Sequence, residues 1–240
     1  MELRNRTVLV TGANRGIGQA LVRELLKHDV AKVYAGARDP KKLPDFGDKR
    51  VVPLTLDITD RAQIDKAAAT AKDTQLLLNN AGVANPSSVV QSATDALMPD
   101  MQVNYFGTLS MMHAFAPVIE KNGGGAIANV ISVLGLASMV SVGGYSASKA
   151  ALFSATQAAR AELKPRGVAI LGIFPGPIDT DMSRDFPMEK ASAESTADAI
   201  LQGIKAGHED IFPDPFSRQV SELWFKDPKA LEKQFAGFGG

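Results

Sequence analysis

The sequence predicts a doubly wound α/β fold, a single domain over residues 1–240 with about seven parallel strands and helices on both faces of the sheet. Three observations carry that expectation. Short runs rich in Val, Ile and Leu alternate with segments of helical character along the whole chain. Gly12, Arg38, Asp57, Asn79, Ser132 and Pro175 all fall at the carboxyl ends of those runs, where such sheets bind their ligands. No internal repeat and no linker divides the sequence.

The first strand is Thr7-Val-Leu-Val10, which runs directly into Thr11-Gly12-Ala13-Asn14-Arg15-Gly16-Ile17-Gly18. A helix follows, with Ile17, Leu21 and Leu25 repeating every four residues on one face. Strand, glycine-rich turn and helix together make the context of a dinucleotide site. Gly12 permits the tight turn, Gly16 lets the backbone approach a pyrophosphate, and Gly18 lets helix and strand pack closely. Lys32-Val-Tyr-Ala-Gly36 is the second strand, and Arg38 stands twenty residues after Gly18, where a ribose-reading side chain belongs. If that strand ran one or two residues further, Asp39 would take that place instead. Asp39 to Arg50 reads as a loop or a short irregular helix, and Val51 to Leu56 as the third strand. Asp57, beside Ile58, either faces an adenine or caps the helix predicted from Asp60 to Ala71.

Gln75-Leu-Leu-Leu78 forms the fourth strand and ends in Asn79-Asn80-Ala81-Gly82. Residues 86–98 read as a loop or short helix, and Met101 to Pro117 as a longer helix containing Asn104 and Gly107. An Asn is a poor helix former, so Asn104 either faces a site or is simply solvated. Ala126 to Ile131 is the fifth strand, ending at Ser132. The helix after Gly143-Gly144 carries Tyr145 and Lys149 one turn apart on the same face. A free phenol has a pKa of about 10, and an ammonium one turn away should pull it down towards a value useful in proton transfer. Gly167 to Phe174 is the sixth strand, closing on Pro175-Gly176-Pro177-Ile178-Asp179-Thr180. A loop, about 181–194, then precedes a helix from Ser195 to Lys205 and a short strand near Asp210 to Phe212.

Composition narrows the function. Lys+Arg 26 against Asp+Glu 26 gives a formal net charge of zero, so nucleic acid is not an expected partner. The absence of cysteine excludes disulfides, thiolate metal sites and thiol catalysis. His28, His113 and His208 show no ligand spacing, and no metal is expected. Glu2, Arg4 and Arg6 precede only a short apolar run, unlike a secretory signal. The longest uncharged stretch, Asn122 to Ser148, is broken by glycines, serines and Asn129, which suits a buried strand and an active-site loop rather than a membrane span. A cytoplasmic protein is expected.

Thr11-Gly-x-x-x-Gly-x-Gly18, Asn79-Asn-Ala-Gly82, Asn104, Ser132, Tyr145-x-x-x-Lys149 and Pro175-Gly-x-x-x-Thr180 occur in this order. As a set they resemble the short-chain dehydrogenase/reductases, a Rossmann-type family, over nearly the whole chain. The resemblance implies a nicotinamide cofactor, Tyr145 as general acid/base and Ser132 as the group orienting a carbonyl. It implies that Lys149 holds the nicotinamide ribose and lowers the Tyr145 pKa, while Asn104 supports a proton relay through water. Asn79, Ala81 and Gly82 would flank adenosine and ribose, and Ile178 and Thr180 would meet the carboxamide. Ile131 stands where many relatives carry a second Ser.

The cofactor expected is NADP(H). Arg38 can grip a 2′-phosphate bidentately, and Arg15 can approach it from the glycine loop. The expected reaction interconverts a small or medium apolar ketone or aldehyde and its alcohol. A 3-oxoacyl-carrier-protein reductase is the alternative enzyme, and a nonenzymatic NADPH sensor the alternative of another kind. The short loop after Thr180 suggests an open substrate pocket, with Met139, Val140, Met182, Phe186 and Trp224 as candidate walls. The resemblance and the alanine-rich Tyr145 helix together suggest a homodimer or homotetramer.

Overall fold

Side chains alternate across a strand, and the central strands divide their apolar residues between two helical layers. In β1 (Thr7–Thr11), Val8 and Val10 face one core and Leu9 the other. In β4 (Leu76–Asn79), Leu76 and Leu78 join the first core and Leu77 the second. Burial on both faces is what makes these strands read as unbroken apolar runs. The structure, a computed structural model, describes residues 1–184 and 186–238.

Five more strands complete the sheet: β2 (Lys32–Ala37), β3 (Val51–Thr55), β5 (Gly125–Val130), β6 (Val168–Ile173) and β7 (Asp210–Ile211). Their order is β3-β2-β1-β4-β5-β6-β7, and every pairing is parallel. The order reverses beside β1, which opens a crevice between the carboxyl ends of β1 and β4. Helix α1 (Gly16–Leu25) packs on the first core, and α2 (Arg61–Thr70) on the second.

Between β4 and β5 the chain forms α3 (Thr94–Asp100), a π-helical segment Met101–Gly107, and α4 (Thr108–Lys121). The predicted helix therefore exists, but its first two turns are π-helical and hold Asn104, a local widening common at functional sites. Helix α5 (Gly143–Leu163) carries Tyr145 and Lys149. Helix α6 (Ala193–Ala206) starts two residues before the predicted Ser195, because the Ser192 hydroxyl accepts from the Ser195 N–H at 3.1 Å. It packs on α1 across the first core.

Two further helices, α7 (Pro215–Lys226) and α8 (Pro228–Ala236), follow β7. Each opens on an Asp-Pro pair: Asp214 accepts from the Ser217 N–H at 2.8 Å, and Asp227 from the Ala230 N–H at 3.0 Å. They enclose a third apolar cluster with Phe174, Val220, Leu231 and Phe235 against the carboxyl end of the sheet. No helix among the described residues is long and apolar enough to cross a membrane.

Candidate active site

The glycine loop is shaped by close approach. Gly12 and Gly16 have φ of 65° and 53°, in the left-handed region that favours glycine. A Cβ on Gly18 would lie 2.2 Å from the Gly12 carbonyl oxygen, so α1 can begin against β1 only with hydrogen there. The loop is pinned from β4: the Thr11 hydroxyl accepts from the N–H groups of Asn80 and Ala81, each at 3.0 Å. The Asn80 amide in turn donates to the carbonyls of Thr11 at 2.9 Å and Gly12 at 3.2 Å.

A cavity of about 650 Å³ follows the crevice. One end is lined by the glycine loop with the cations Arg15, Arg38 and Lys42. β2 stops at Ala37, and the Asp39 carboxylate caps its own turn by accepting from the Lys41 N–H at 3.1 Å. Arg38 is exposed, and among the described residues it pairs with no carboxylate. Arg15 reaches across the cleft to Asp181, 3.2 Å away. Asp57 lines the cavity and accepts from the Thr59 hydroxyl at 2.7 Å, while Asp60 caps α2. Of the two sequence readings of Asp57, the cap is thus taken by another residue.

At the other end, Ser132, Tyr145 and Lys149 meet. Ser132 follows β5, and its hydroxyl accepts from the Leu134 N–H at 3.1 Å. Lys149 is buried; its ammonium nitrogen donates to the Val130 carbonyl at 2.8 Å and lies 5.5 Å from the centre of the Tyr145 ring. Burial pushes the Tyr145 phenol up to about 12, against the Ser132 hydroxyl, which draws it down; the Asp100 carboxylate adds to the rise. Burial draws Lys149 down to about 7, and Asp100 holds it up. The net direction for the phenol is up, because burial outweighs what draws it down. Desolvation is the largest cause of both shifts and penalises the charged form of each group.

Of the residues singled out in the sequence, Gly12, Asn14, Arg15, Gly16, Ile17, Arg38, Asp57, Ile58, Ala81 and Gly82 line the cavity. So do Ser132, Tyr145, Lys149, Pro175, Gly176, Ile178 and Thr180. Three are not among its lining residues. Gly18 lies beneath the loop, and Asn79 is buried with its amide on the Asn129 side-chain oxygen at 2.9 Å. Asn104 is also fully buried rather than solvated, donating to the Val83 carbonyl and the Ser148 hydroxyl, each at 2.9 Å. Among the expected pocket walls, Met139, Met182 and Phe186 line the cavity, whereas Val140 is exposed and Trp224 packs against Phe153.

The short chain dehydrogenase family description matches residues 6–191, more than half of the chain. The chain belongs to the short-chain dehydrogenase family. This short-chain dehydrogenase is 40% identical to a crystallised short-chain dehydrogenase from Burkholderia cenocepacia J2315 in complex with NADP, with a TM-score of 0.93 covering 98% of this chain and 99% of that one. It is 32% identical over 219 residues to an uncharacterized oxidoreductase of Staphylococcus saprophyticus, covering 85% of this chain and 93% of the relative. A 3-ketoacyl-(acyl-carrier-protein) reductase from Brucella melitensis complexed with NADH shares the fold alone, at 21% identity and a TM-score of 0.80 over 88% of this chain and 98% of that one.

Several lining residues of this dehydrogenase went unseen in its sequence. Lys42 stands in a loop whose path no periodicity reveals. Phe216, Phe235 and Phe238 come from the α7–α8 region beyond the family match and line the same cavity. The Asp-Pro helix starts at 214 and 227 were the signal for those two helices. Away from the crevice, Glu24, His28 and Asp198 bring ligating atoms within 4.8 Å of one another, but the Lys27 ammonium already bonds Glu24 at 2.6 Å.

Proposed function

We propose that this oxidoreductase uses NADP(H) to interconvert an apolar ketone or aldehyde and its alcohol, with Tyr145 as general acid/base. The observation that carries the reading is the convergence of Ser132, Tyr145 and Lys149 in one cavity whose other end holds Arg15, Arg38 and Lys42. The residues fit a dinucleotide: Cβ atoms on Gly12 and Gly16 would press against Ala81 and Thr180, so the loop presents bare backbone to the crevice. NADP in the Burkholderia cenocepacia relative supports the same choice. When bound, the cofactor supplies hydride exchange with the carbonyl carbon.

The chain's own residues do the rest. Gly12 to Gly18, with Asn14, Arg15 and Ile17, would hold the pyrophosphate, and Arg38 with Lys42 a 2′-phosphate. Asp57 and Ile58 would meet the adenine; Asn79, Ala81 and Gly82 would shape the adenosine and ribose site. Pro175, Gly176, Ile178 and Thr180 would fix the carboxamide. Ser132 orients the carbonyl oxygen beside the phenol. Tyr145, protonated at neutral pH, donates its O–H proton to that oxygen on reduction and takes it back on oxidation. An ammonium at Lys149 steadies the phenolate left behind, and Asn104 supports return of the proton through water. Met139, Val142, Phe216 and Phe235 give the substrate end an apolar wall.

Tyr145→Phe tests the role of the phenol. The variant should bind NADPH as the wild type does and lose at least about a hundredfold in kcat, since positioned proton transfer contributes roughly 10²–10⁴-fold. Retention of more than about a hundredth of wild-type turnover would remove Tyr145 from the chemistry. We place the protein in the cytoplasm as a homodimer or homotetramer. The assembly surface is the outer face of α5, where Ala147, Ala150 and Ala158 are exposed. Light scattering should report two or four chains, and a monomer at working concentrations would overturn the assembly.

A further inference from the structure

The chain leaving β7 turns into α7 at Asp214, a buried residue that does not line the cavity. Its two carboxylate oxygens serve different parts of the molecule. Oδ1 accepts from the Ser217 N–H at 2.8 Å and so caps α7, a task that Asn or Ser performs about as well. Oδ2 accepts from the Gly176 N–H, also at 2.8 Å, in the turn that closes β6. The cap does not need that second bond. Gly176 is tightly seated in the turn: a Cβ on it would lie 2.8 Å from Oδ1 of Asp214 and 2.8 Å from the Phe216 ring.

The Gly176 N–H belongs to the same planar peptide group as the Pro175 carbonyl, and in a trans peptide the two point in opposite directions. The Pro175 carbonyl accepts from the Val133 N–H at 3.1 Å. Val133 follows Ser132, whose hydroxyl accepts from the Leu134 N–H at 3.1 Å and whose carbonyl accepts from the Gly135 N–H at 2.9 Å. One peptide plane is thus gripped at both edges, by a buried carboxylate on one side and by the neighbour of Ser132 on the other. A hydrogen bond to a carboxylate is stronger than one between neutral groups, and bonds in series strengthen one another. Phe216, two residues after Asp214, lines the same cavity as Ser132, Pro175 and Gly176.

We propose that Asp214 is a positioning residue that sets Ser132 through the Pro175–Gly176 peptide and ties it to the Phe216 wall. The consequence for turnover rests on the carbonyl-orienting role proposed for Ser132; the physical link does not.

The link is read without turnover, by amide hydrogen exchange of the cofactor-free protein followed by NMR. Val133 and Gly176 are measured against the amides of β1. Both should be protected in the wild type, and a freely exchanging Gly176 amide would overturn the proposal whatever the variants do. Asp214→Ser leaves an oxygen for the cap and none for Gly176. Val133 should then exchange at least about tenfold faster, the scale of one lost hydrogen bond to a charged group. Asp214→Asn, with one acceptor left and no charge, should act in the same direction and serves if Asp214→Ser does not fold. Ser217→Ala is the control for the cap. It removes the hydroxyl that accepts from the Asp214 N–H at 3.1 Å but keeps both carboxylate bonds. It should lower the melting temperature and leave Val133 exchange unmoved. Wild-type exchange at Val133 in Asp214→Ser, or the same acceleration in Ser217→Ala, would reduce Asp214 to a helix cap and overturn the proposal. Turnover is read with NADPH and the aryl ketone that the wild type reduces fastest. Asp214→Ser should lose about tenfold or more in kcat with KM for NADPH changed by less than about twofold, because a displaced orienting group costs rate rather than binding. Ser217→Ala should keep kcat. An unchanged kcat in Asp214→Ser would overturn the positioning role, whereas a wild type that reduces no carbonyl would sink the functional reading alone and leave the exchange data to decide the link.

Discussion

At Lys149 the fold keeps an amine where water barely reaches it, and folding pays for this in a way that pH can reveal. Burial draws the native amine from its ordinary 10.5 down to about 7. Between those values the unfolded chain binds the proton and the native chain does not, so stability rises with pH across that window. Below about 7 both states are protonated and the full penalty of the buried ammonium is present. Lys149→Met removes the titration, although it also leaves the Val130 carbonyl without its donor. The melting temperature of the variant relative to wild type should therefore be most favourable near pH 6 and should decline steadily towards pH 10. A difference that stays constant with pH would contradict the burial. The sequence displayed the Tyr145/Lys149 spacing plainly, because four residues on a helix fix a shared face. It did not display the sign of the pKa shift, which depends on solvent exclusion by β5, the π-helical segment and the loop around Asn85.

Among the elements, the glycine turn between β1 and α1 is the most sharply determined by sequence. Gly18 illustrates why: its Cβ position is already occupied by the backbone oxygen of Gly12. Gly18→Ala should destabilise the protein by about 1–3 kcal/mol, the usual cost of overpacking a tight site, and thermal unfolding should show it. Unchanged stability would mean that the close packing of α1 against β1 is absent. The central strands β1, β2, β4, β5 and β6 were legible because each is a short apolar run ending in a turn or polar residue, and parallel strands buried on both faces read that way. The π-helical turn at Asn104 was not, since nothing in local propensity distinguishes it from α-helix. Helices α7 and α8 escaped notice for another reason. They are amphipathic and short, and their packing partners, Phe174 and Leu152, lie far away in the chain.

For the molecule as a whole, charge and apolar surface are segregated within one cavity. Arg15, Arg38 and Lys42 stand at one end, while Phe216, Phe235 and Phe238 line the other. That division follows from the sheet order, which puts β2 on one side of the crevice and the chain leaving β5, β6 and β7 on the other. It also explains why formal neutrality over the whole chain said little about the site: the balance of 26 basic and 26 acidic residues averages away a local cluster of cations. The most direct test is steady-state kcat/KM for reduction of a panel of aryl ketones and aldehydes, with an acetoacetyl thioester for comparison. Each substrate is measured with NADPH and with NADH, in the wild type and in Arg38→Asp. The wild type should consume NADPH with an apolar carbonyl and prefer it to NADH, and Arg38→Asp should narrow or invert that preference. No consumption of either cofactor across the panel, or a wild-type preference for NADH, would contradict the account.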